Sequence, residues 1–139
     1  MIAIESVLSM VVTILVAILI FGIIILVHEL GHFAVAKLMG IRVNEFAIGM
    51  GPTLFKFGKK ETTYSLRAFP VGGFCAMEGE DSDSEDPRAF GSKKVWRRVL
   101  VVIAGATMNL ILGYVLLAAY YGVYTRPAAE GQAAAYSST

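Results

Sequence analysis

Cysteine and histidine are scarce in this sequence, and neither sign of charge is in excess. The chain of 139 residues has one cysteine, Cys75, which excludes an internal disulfide and a zinc cluster built on cysteine thiolates. Its 12 Lys and Arg and 11 Asp and Glu give a net charge of only +1. Because no basic face stands out, the sequence argues against a nucleic-acid partner. We interpret Cys75 as a small packed residue rather than a reactive thiol.

Apolar residues, in contrast, make up 56% of the chain and gather in two long runs. Val7–Val27 is broken only by Ser9 and Thr13, and Val99–Val123 contains only two strongly polar side chains. Each run is long enough, at about 1.5 Å per helical residue, to cross a bilayer core of roughly 30 Å. The sequence therefore predicts a membrane protein with two transmembrane helices.

The only two histidines lie in the motif His28-Glu29-Leu30-Gly31-His32, at the end of the first apolar run. Residues four apart share one face of an α-helix, so both imidazoles can hold one divalent metal while Glu29 reaches the activated water. This spacing is typical of metalloproteases. The alternative is a pair of buried structural histidines, but ionisable side chains within a membrane span are costly and are functional by default. We therefore favour a metal site.

Basic residues predict how the chain is oriented. Eleven of the 12 Lys and Arg lie between the two apolar runs, from Lys37 to Arg98. The positive-inside rule places this segment in the cytoplasm and both termini on the other side of the membrane. Lys37 follows His28 by nine residues, about 14 Å of helix. The metal site is thus predicted inside the membrane, near its cytoplasmic face.

The connection between the two runs is rich in β-forming residues. Thr62–Ala68 alternates between two faces, as a half-buried strand requires, and glycine-containing turns flank it. We predict a small antiparallel sheet, and two roles for it remain open. It either caps the helix ends or offers an exposed edge that receives an extended substrate by strand addition. The acidic segment Glu78–Asp86 that follows is predicted to be a solvated, mobile loop.

In the second apolar run, Gly105, Asn109 and Gly113 recur every four residues and so share one helix face. Small residues on such a face let another helix approach closely, and an asparagine can form a hydrogen bond across the contact. The expected partner is the helix that carries His28. Asn109 could then touch the active site or a substrate backbone.

The predicted fold class is an α-helical membrane protein with a small β element, in which a cytoplasmic antiparallel β-hairpin joins two transmembrane helices. We expect residues 1–139 to form a single membrane unit. Its predicted parts, in chain order, are a first transmembrane helix over 7–39, a β-rich connection over 41–94, a second transmembrane helix over 96–124, and a linker or frayed tail over 125–139.

Taken together, the motifs resemble those of the site-2 proteases. The closest similarity is to the N-terminal part of the bacterial zinc metalloproteases of regulated intramembrane proteolysis, which cleave transmembrane substrates such as anti-sigma factors and signal-peptide remnants. The matching motifs are His28 to His32, Gly49-Met50-Gly51-Pro52, Tyr64-Ser65-Leu66-Arg67, Pro70 to Phe74, and Gly105 to Asn109.

The resemblance implies that His28 and His32 bind Zn²⁺ and that Glu29 is the catalytic base. It also implies that the hairpin containing Gly49 and Gly51 dips towards the membrane and presents substrate, while Gly105 and Asn109 belong to a helix-packing motif near the site. The family has a third zinc ligand, an aspartate in a later helix, and often a PDZ domain. Neither is present in these residues, so we expect a further C-terminal half to supply them.

Two rival interpretations remain. The first is a non-enzymatic membrane module, either a metal or proton relay or a catalytically dead regulator that binds transmembrane partners. It accounts for the histidines but has no special need for Glu29. The second is a soluble zinc metalloprotease, which the position of the motif within an apolar span disfavours.

Overall fold

The computed structural model describes residues 2–58 and 61–124. Its elements, in chain order, are helix α1 (Ile2–Leu38), strand β1 (Val43–Phe57), strand β2 (Thr63–Met77) and helix α2 (Val95–Tyr124). Lys59 and Lys60, two of the basic residues counted above, lie outside the described residues, as does the predicted tail over 125–139. The fold-class prediction of two long apolar helices around an antiparallel β-hairpin is confirmed. The functional division of the chain into four parts stays a prediction.

Helix α1 is apolar on every side rather than amphipathic. Leu8, Met10 and Ile20 are 53–62% exposed, although they lie on different faces of the helix. A helix that is apolar all round must be surrounded by other apolar groups, and lipid provides them. Both helices are long and apolar enough to cross a membrane. Gly40 ends α1, because its φ of 69° allows the chain to turn and Ile41 N–H to donate to the Ala36 carbonyl.

Strands β1 and β2 pair mainly antiparallel, and each is divided into two arms by a bend. In β1 the bend lies at Gly49 and Gly51, whose φ angles of 85° and 83° favour glycine. The arm Glu45–Ile48 pairs antiparallel on one side with the second arm of β2, over residues 73–76, and in parallel register on the other with its first arm, over residues 63–66. The second arm of β1 pairs with β2 through Thr53↔Arg67, Phe55↔Leu66, Lys56↔Ser65 and Phe57↔Tyr64. Two long strands thereby make a sheet four arms wide.

A small core joins the C-terminal end of α1, the base of the sheet and the start of α2. Phe33 of α1 packs against Phe46 of β1, with ring centroids 5.1 Å apart. The buried residues of this core are Ala36, Ile41, Val43, Phe46, Cys75, Met77 and Val101. Cys75 is therefore a packed core residue, as the sequence predicts. The core includes Ala36, about one helical turn after His32, so it holds the segment with the motif between the sheet and α2.

The acidic loop after β2 is anchored, which differs from the mobile loop that its composition predicts. The Glu78 carboxylate accepts hydrogen bonds from Asn44 Nδ2 and Ser84 Oγ, both at 2.7 Å. These bonds hold the pKa of Glu78 below its ordinary value. Asp86 forms an ion pair with Arg42 at 3.2 Å. Charge density alone suggested solvation, but Asn44 in β1 and Arg42 just before it supply donors that tie both ends of the loop.

Candidate metal centre

The two histidines occupy the last third of α1, on the face that meets α2. Their Nε2 atoms are 3.0 Å apart and their rings meet edge to face. A zinc ion lies about 2.0–2.1 Å from each histidine nitrogen, which separates two tetrahedral ligand atoms by roughly 3.3 Å. The pair is therefore close to the spacing that one shared ion requires.

The backbone of α2 orients His32. Its Nδ1 lies 2.7 Å from the carbonyl oxygen of Val101, and since a carbonyl only accepts, Nδ1 carries the proton and donates. The lone pair of the neutral ring is then on Nε2, the atom that faces His28. Histidine ligands of metals are commonly held by a hydrogen bond of this kind. No side chain takes part at Val101, so sequence patterns carry no signal for it.

Asn109 lies beside the other histidine. Its Nδ2 is 3.3 Å from Nδ1 of His28, while its Oδ1 is buried without a hydrogen-bond partner among the described residues. The structure thus brings Asn109 into contact with the motif. Its predicted part in substrate binding or helix packing stays a prediction.

Glycines allow α1 and α2 to approach each other closely. A Cβ atom on Gly105 would lie 2.5 Å from Nε2 of His32 and 2.6 Å from Nε2 of His28. On the facing helix, a Cβ on Gly31 would lie 2.6 Å from the carbonyl oxygen of Ala104. The third small residue of the predicted face, Gly113, would meet no atom of the described chain within 4 Å. Sequence spacing identified Gly105 but missed Gly31.

Gly49 and Gly51 are placed differently, at the bend of β1. A Cβ on either would lie 2.5 Å from an atom of Phe69 in β2. The glycine of the sheet that approaches the motif is Gly73, where a Cβ would lie 3.6 Å from Cγ of Glu29. Gly73 belongs to a segment matched to the family, but it was not among the predicted site residues. The predicted roles of Gly49 and Gly51 in substrate binding or helix packing stay predictions.

Glu29 and His32 line the same cavity, which has a volume of about 590 Å³. The remaining walls come from β2, the acidic loop and α2, through Phe74, Cys75, Ala76, Met77, Glu80, Asp81, Val101 and Val102. Burial raises the pKa of Glu80, and the neighbouring carboxylates of Asp81 and Glu29 add to the effect. Burial, with Glu29 as a smaller cause, raises the pKa of the Cys75 thiol to about 12. A cavity of this volume can hold water beside Glu29. The Cys75 thiol in its wall is neutral.

The residues present fit a zinc ion in part. Two imidazole Nε2 atoms 3.0 Å apart are suitable ligands once neither carries a proton, whereas catalytic zinc normally has three protein ligands. Within residues 2–58 and 61–124, no group of three or more His, Cys, Asp or Glu side chains could hold a metal. Glu29 follows His28 by one residue, about 100° round the helix, so it lies beside the ion rather than on it. These residues form a two-histidine part of a metal site.

Comparisons with known proteins agree with this geometry. The family model described as Peptidase family M50 matches residues 16–138. A putative zinc metalloprotease of Clostridium acetobutylicum is 58% identical over 103 residues, which cover 74% of this chain and 30% of that protein. A putative zinc metalloprotease of Fusobacterium nucleatum is 48% identical over 105 residues, covering 76% and 31%. The chloroplastic membrane metalloprotease ARASP of Arabidopsis thaliana is 44% identical over 109 residues, covering 76% and 24%. The chain spans less than a third of the length of these curated relatives.

Proposed function

This chain belongs to peptidase family M50, and from that membership we propose that it carries the histidine part of the active site of a zinc-dependent intramembrane endopeptidase. The membership confirms the resemblance to site-2 proteases inferred from the sequence. One observation carries the proposal: the Nε2 atoms of His28 and His32 converge at 3.0 Å on the helix that also places Glu29 in the cavity of His32.

The residues of the site have separate tasks in peptide hydrolysis. His28 and His32 would hold Zn²⁺ through Nε2, and when bound the ion supplies a Lewis acid that activates water. The Glu29 carboxylate takes the proton of the attacking water and then gives it to the leaving amine nitrogen. The hydrogen bond from His32 to Val101 keeps that imidazole turned towards the metal. Phe74 and Val102 line the walls of the cavity in which these groups would react.

The third ligand and the substrate are parts of the same proposal. An aspartate from a segment outside the described residues would complete the metal site, as the resemblance implies. The resemblance also implies a PDZ domain in the complete protein. The substrates would be transmembrane proteins such as anti-sigma factors or signal-peptide remnants. We place the enzyme in the cell inner membrane, with the hairpin on the cytoplasmic side. The two apolar helices and the cluster of basic residues between them support this location.

Substitution of Glu29 tests the proposal in the complete enzyme. Glu29→Gln should keep the zinc content of the wild type, because both imidazoles remain, and should lose hydrolysis of a helical membrane substrate by at least about 100-fold. Zinc is measured by elemental analysis and cleavage by gel assay in detergent micelles. Full activity in Glu29→Gln would remove Glu29 from the mechanism. Metal flux into vesicles without any cleavage by the wild type would favour the non-enzymatic relay instead.

A further inference from the structure

A chain of hydrogen bonds runs from α2 through both histidines and back to α2, and one end fixes its direction. The Val101 carbonyl accepts from Nδ1 of His32, so Nε2 of His32 has a free lone pair. Nε2 of His28, 3.0 Å away, is then the donor of that bond. A neutral His28 protonated on Nε2 has its lone pair on Nδ1, which accepts from Nδ2 of Asn109 at 3.3 Å. In this arrangement a proton lies between the two Nε2 atoms.

A cation bound by both histidines requires the opposite tautomer of His28. It takes the lone pairs of both Nε2 atoms, so the proton of His28 must be on Nδ1. The exchange is balanced: Nε2 releases one proton to solvent, Nδ1 takes one from solvent, and the ring stays neutral. The group beside Nδ1 must then accept, whereas Nδ2 of Asn109 can only donate.

The amide of Asn109 also carries an acceptor, the oxygen Oδ1. Its Oδ1 is buried and has no partner within the described parts of the chain, which is costly for a polar atom. The oxygen and nitrogen of a side-chain amide exchange places when the amide rotates by 180°. After that rotation Oδ1 faces Nδ1 of His28 and accepts its proton.

We propose that Asn109 is a positioning residue that selects the metal-binding tautomer of His28 by turning its amide. Nδ2 faces His28 when a proton lies between the two Nε2 atoms, and Oδ1 faces it when a cation does. Helix α2 then orients both ligands, His32 through a backbone carbonyl and His28 through an amide. The inference rests on the proposed function only in that both require zinc on the two histidines.

Helix packing alone explains less of what is seen. An asparagine that only joined two helices would be expected to satisfy both polar atoms of its amide across the contact. Here the partner of Nδ2 is the imidazole of His28, and Oδ1 lacks one in the described structure. The Gly105-to-Asn109 spacing brings the helices together, but this amide is placed against the imidazole ring of His28.

Two substitutions of Asn109 in the complete enzyme separate these roles. Asn109→Asp keeps an acceptor of nearly the same shape, and Asn109→Leu keeps the volume but removes both polar atoms. Thr107→Val is the matched control, because the Thr107 hydroxyl is exposed and donates to the Ile103 carbonyl of its own helix at 2.9 Å. Zinc affinity is measured by competition with a chelator, without reference to proteolysis. The ¹⁵N shifts of the imidazoles in zinc-loaded protein report which nitrogen of His28 carries the proton.

We expect Asn109→Leu to weaken zinc binding by about 10–100-fold, the usual effect of losing such a partner, and Asn109→Asp and Thr107→Val to retain it. In zinc-loaded wild type, His28 should be protonated on Nδ1. Wild-type affinity in Asn109→Leu, equal losses in the Leu and Asp variants, or His28 coordinated through Nδ1 would each overturn the inference while the proposed function stood. Tight zinc binding without cleavage would instead overturn the proposed function alone. A wild type that binds no zinc would overturn both.

Discussion

At the scale of single residues, Gly105 controls the distance between α2 and the two histidines. A Cβ there would lie 2.5 Å and 2.6 Å from their Nε2 atoms, well inside any real contact. We expect Gly105→Ala to push the imidazoles apart, lowering zinc affinity about 10-fold or more and costing about 1–3 kcal/mol of unfolding free energy. Chelator competition and thermal unfolding in detergent measure the two effects.

Gly113→Ala is the matched control for Gly105→Ala, since the same helix face carries both glycines but a Cβ on Gly113 meets no described atom within 4 Å. It should leave zinc affinity unchanged and raise stability slightly, because alanine is favoured over glycine in a helix interior by about 1 kcal/mol. Equal effects of the two substitutions would show that the close approach at Gly105 is not important for the site.

The thiol of Cys75 should be inert in the folded protein. Its pKa is raised to about 12, first by burial and then by the charge of Glu29, and only the thiolate reacts with alkylating reagents. We expect alkylation at pH 8 to be about 100-fold slower in detergent micelles than after denaturation. A cysteine introduced at exposed Ser82, in the acidic loop, is the positive control. Rapid labelling of Cys75 would mean that the core opens readily.

At the scale of elements, an ion pair between β1 and β2 stabilises the sheet. Glu45 of β1 accepts from Ser65 Oγ at 2.6 Å and pairs with Arg67 of β2 at 3.0 Å. The hydroxyl of Ser65 lowers the pKa of Glu45 most, and Arg67 lowers it further. A depressed folded-state pKa stabilises the fold above the unfolded pKa, near 4.3, and this contribution is lost as the pH falls through the folded value.

Substitution of Glu45 should therefore have a pH-dependent effect. Glu45→Gln is expected to cost about 1–2 kcal/mol at neutral pH, where the charged hydrogen bonds are lost, and progressively less below about pH 4. Thermal unfolding between pH 3 and pH 8 measures this. Glu85→Gln, on the exposed acidic loop, should change stability little throughout the range. A Glu45→Gln effect that did not vary with pH would contradict the ion-pair account.

The arms of the sheet should differ in their tolerance of proline, which removes a backbone donor. The arm of β2 over residues 63–66 pairs on both sides, whereas the arm of β1 over residues 53–57 pairs on one side within the described chain. Ser65→Pro should reduce both stability and cleavage. Leu54→Pro should keep the fold, and should impair cleavage only if substrate adds to this edge. Comparison of melting temperature and hydrolysis in the complete enzyme decides between an edge that binds substrate and a cap.

At the scale of the whole molecule, the hairpin lies alongside α1 rather than below its end. Lys37 pairs with Glu61 at 2.6 Å just before β2, while a Cβ on Gly22 would lie 3.0 Å from the carbonyl oxygen of Pro70. The 15 residues between Lys37 and Gly22 correspond to about 22 Å of helix. If Lys37 lies at the membrane surface, the bend of the hairpin lies at the depth of the bilayer core.

Cysteine labelling in intact cells tests this arrangement. In a Cys75→Ala background, probes at Ser82 and Glu5 should report opposite compartments, with Ser82 cytoplasmic, because the basic residues lie between the helices. A probe at Phe55, on the exposed outer arm of β1, should react poorly with water-soluble reagents from either side. Labelling of Ser82 and Glu5 from the same side would overturn the orientation predicted from charge.

The sequence by itself determined what depends on local spacing and composition. Apolar runs long enough for a bilayer predicted both helices, and the helical repeat put His28 and His32 on one face whatever the rest of the chain does. Gly40 as a helix stop and the strand character of Thr62–Ala68 were likewise readable, since φ preference and two-residue alternation are local properties.

Only the tertiary structure decided what depends on contacts between distant segments. The carbonyl of Val101 orients His32 through a backbone atom, which has no residue type of its own to recognise. The acidic loop reaches the cavity through Glu80 because donors on β1, more than 30 residues earlier, anchor its first residues. The side of α2 that meets the motif, and the orientation of the Asn109 amide there, depend on two helices docking 69 to 81 residues apart in the chain. Periodicity gives each helix a face, but packing chooses the atoms that meet.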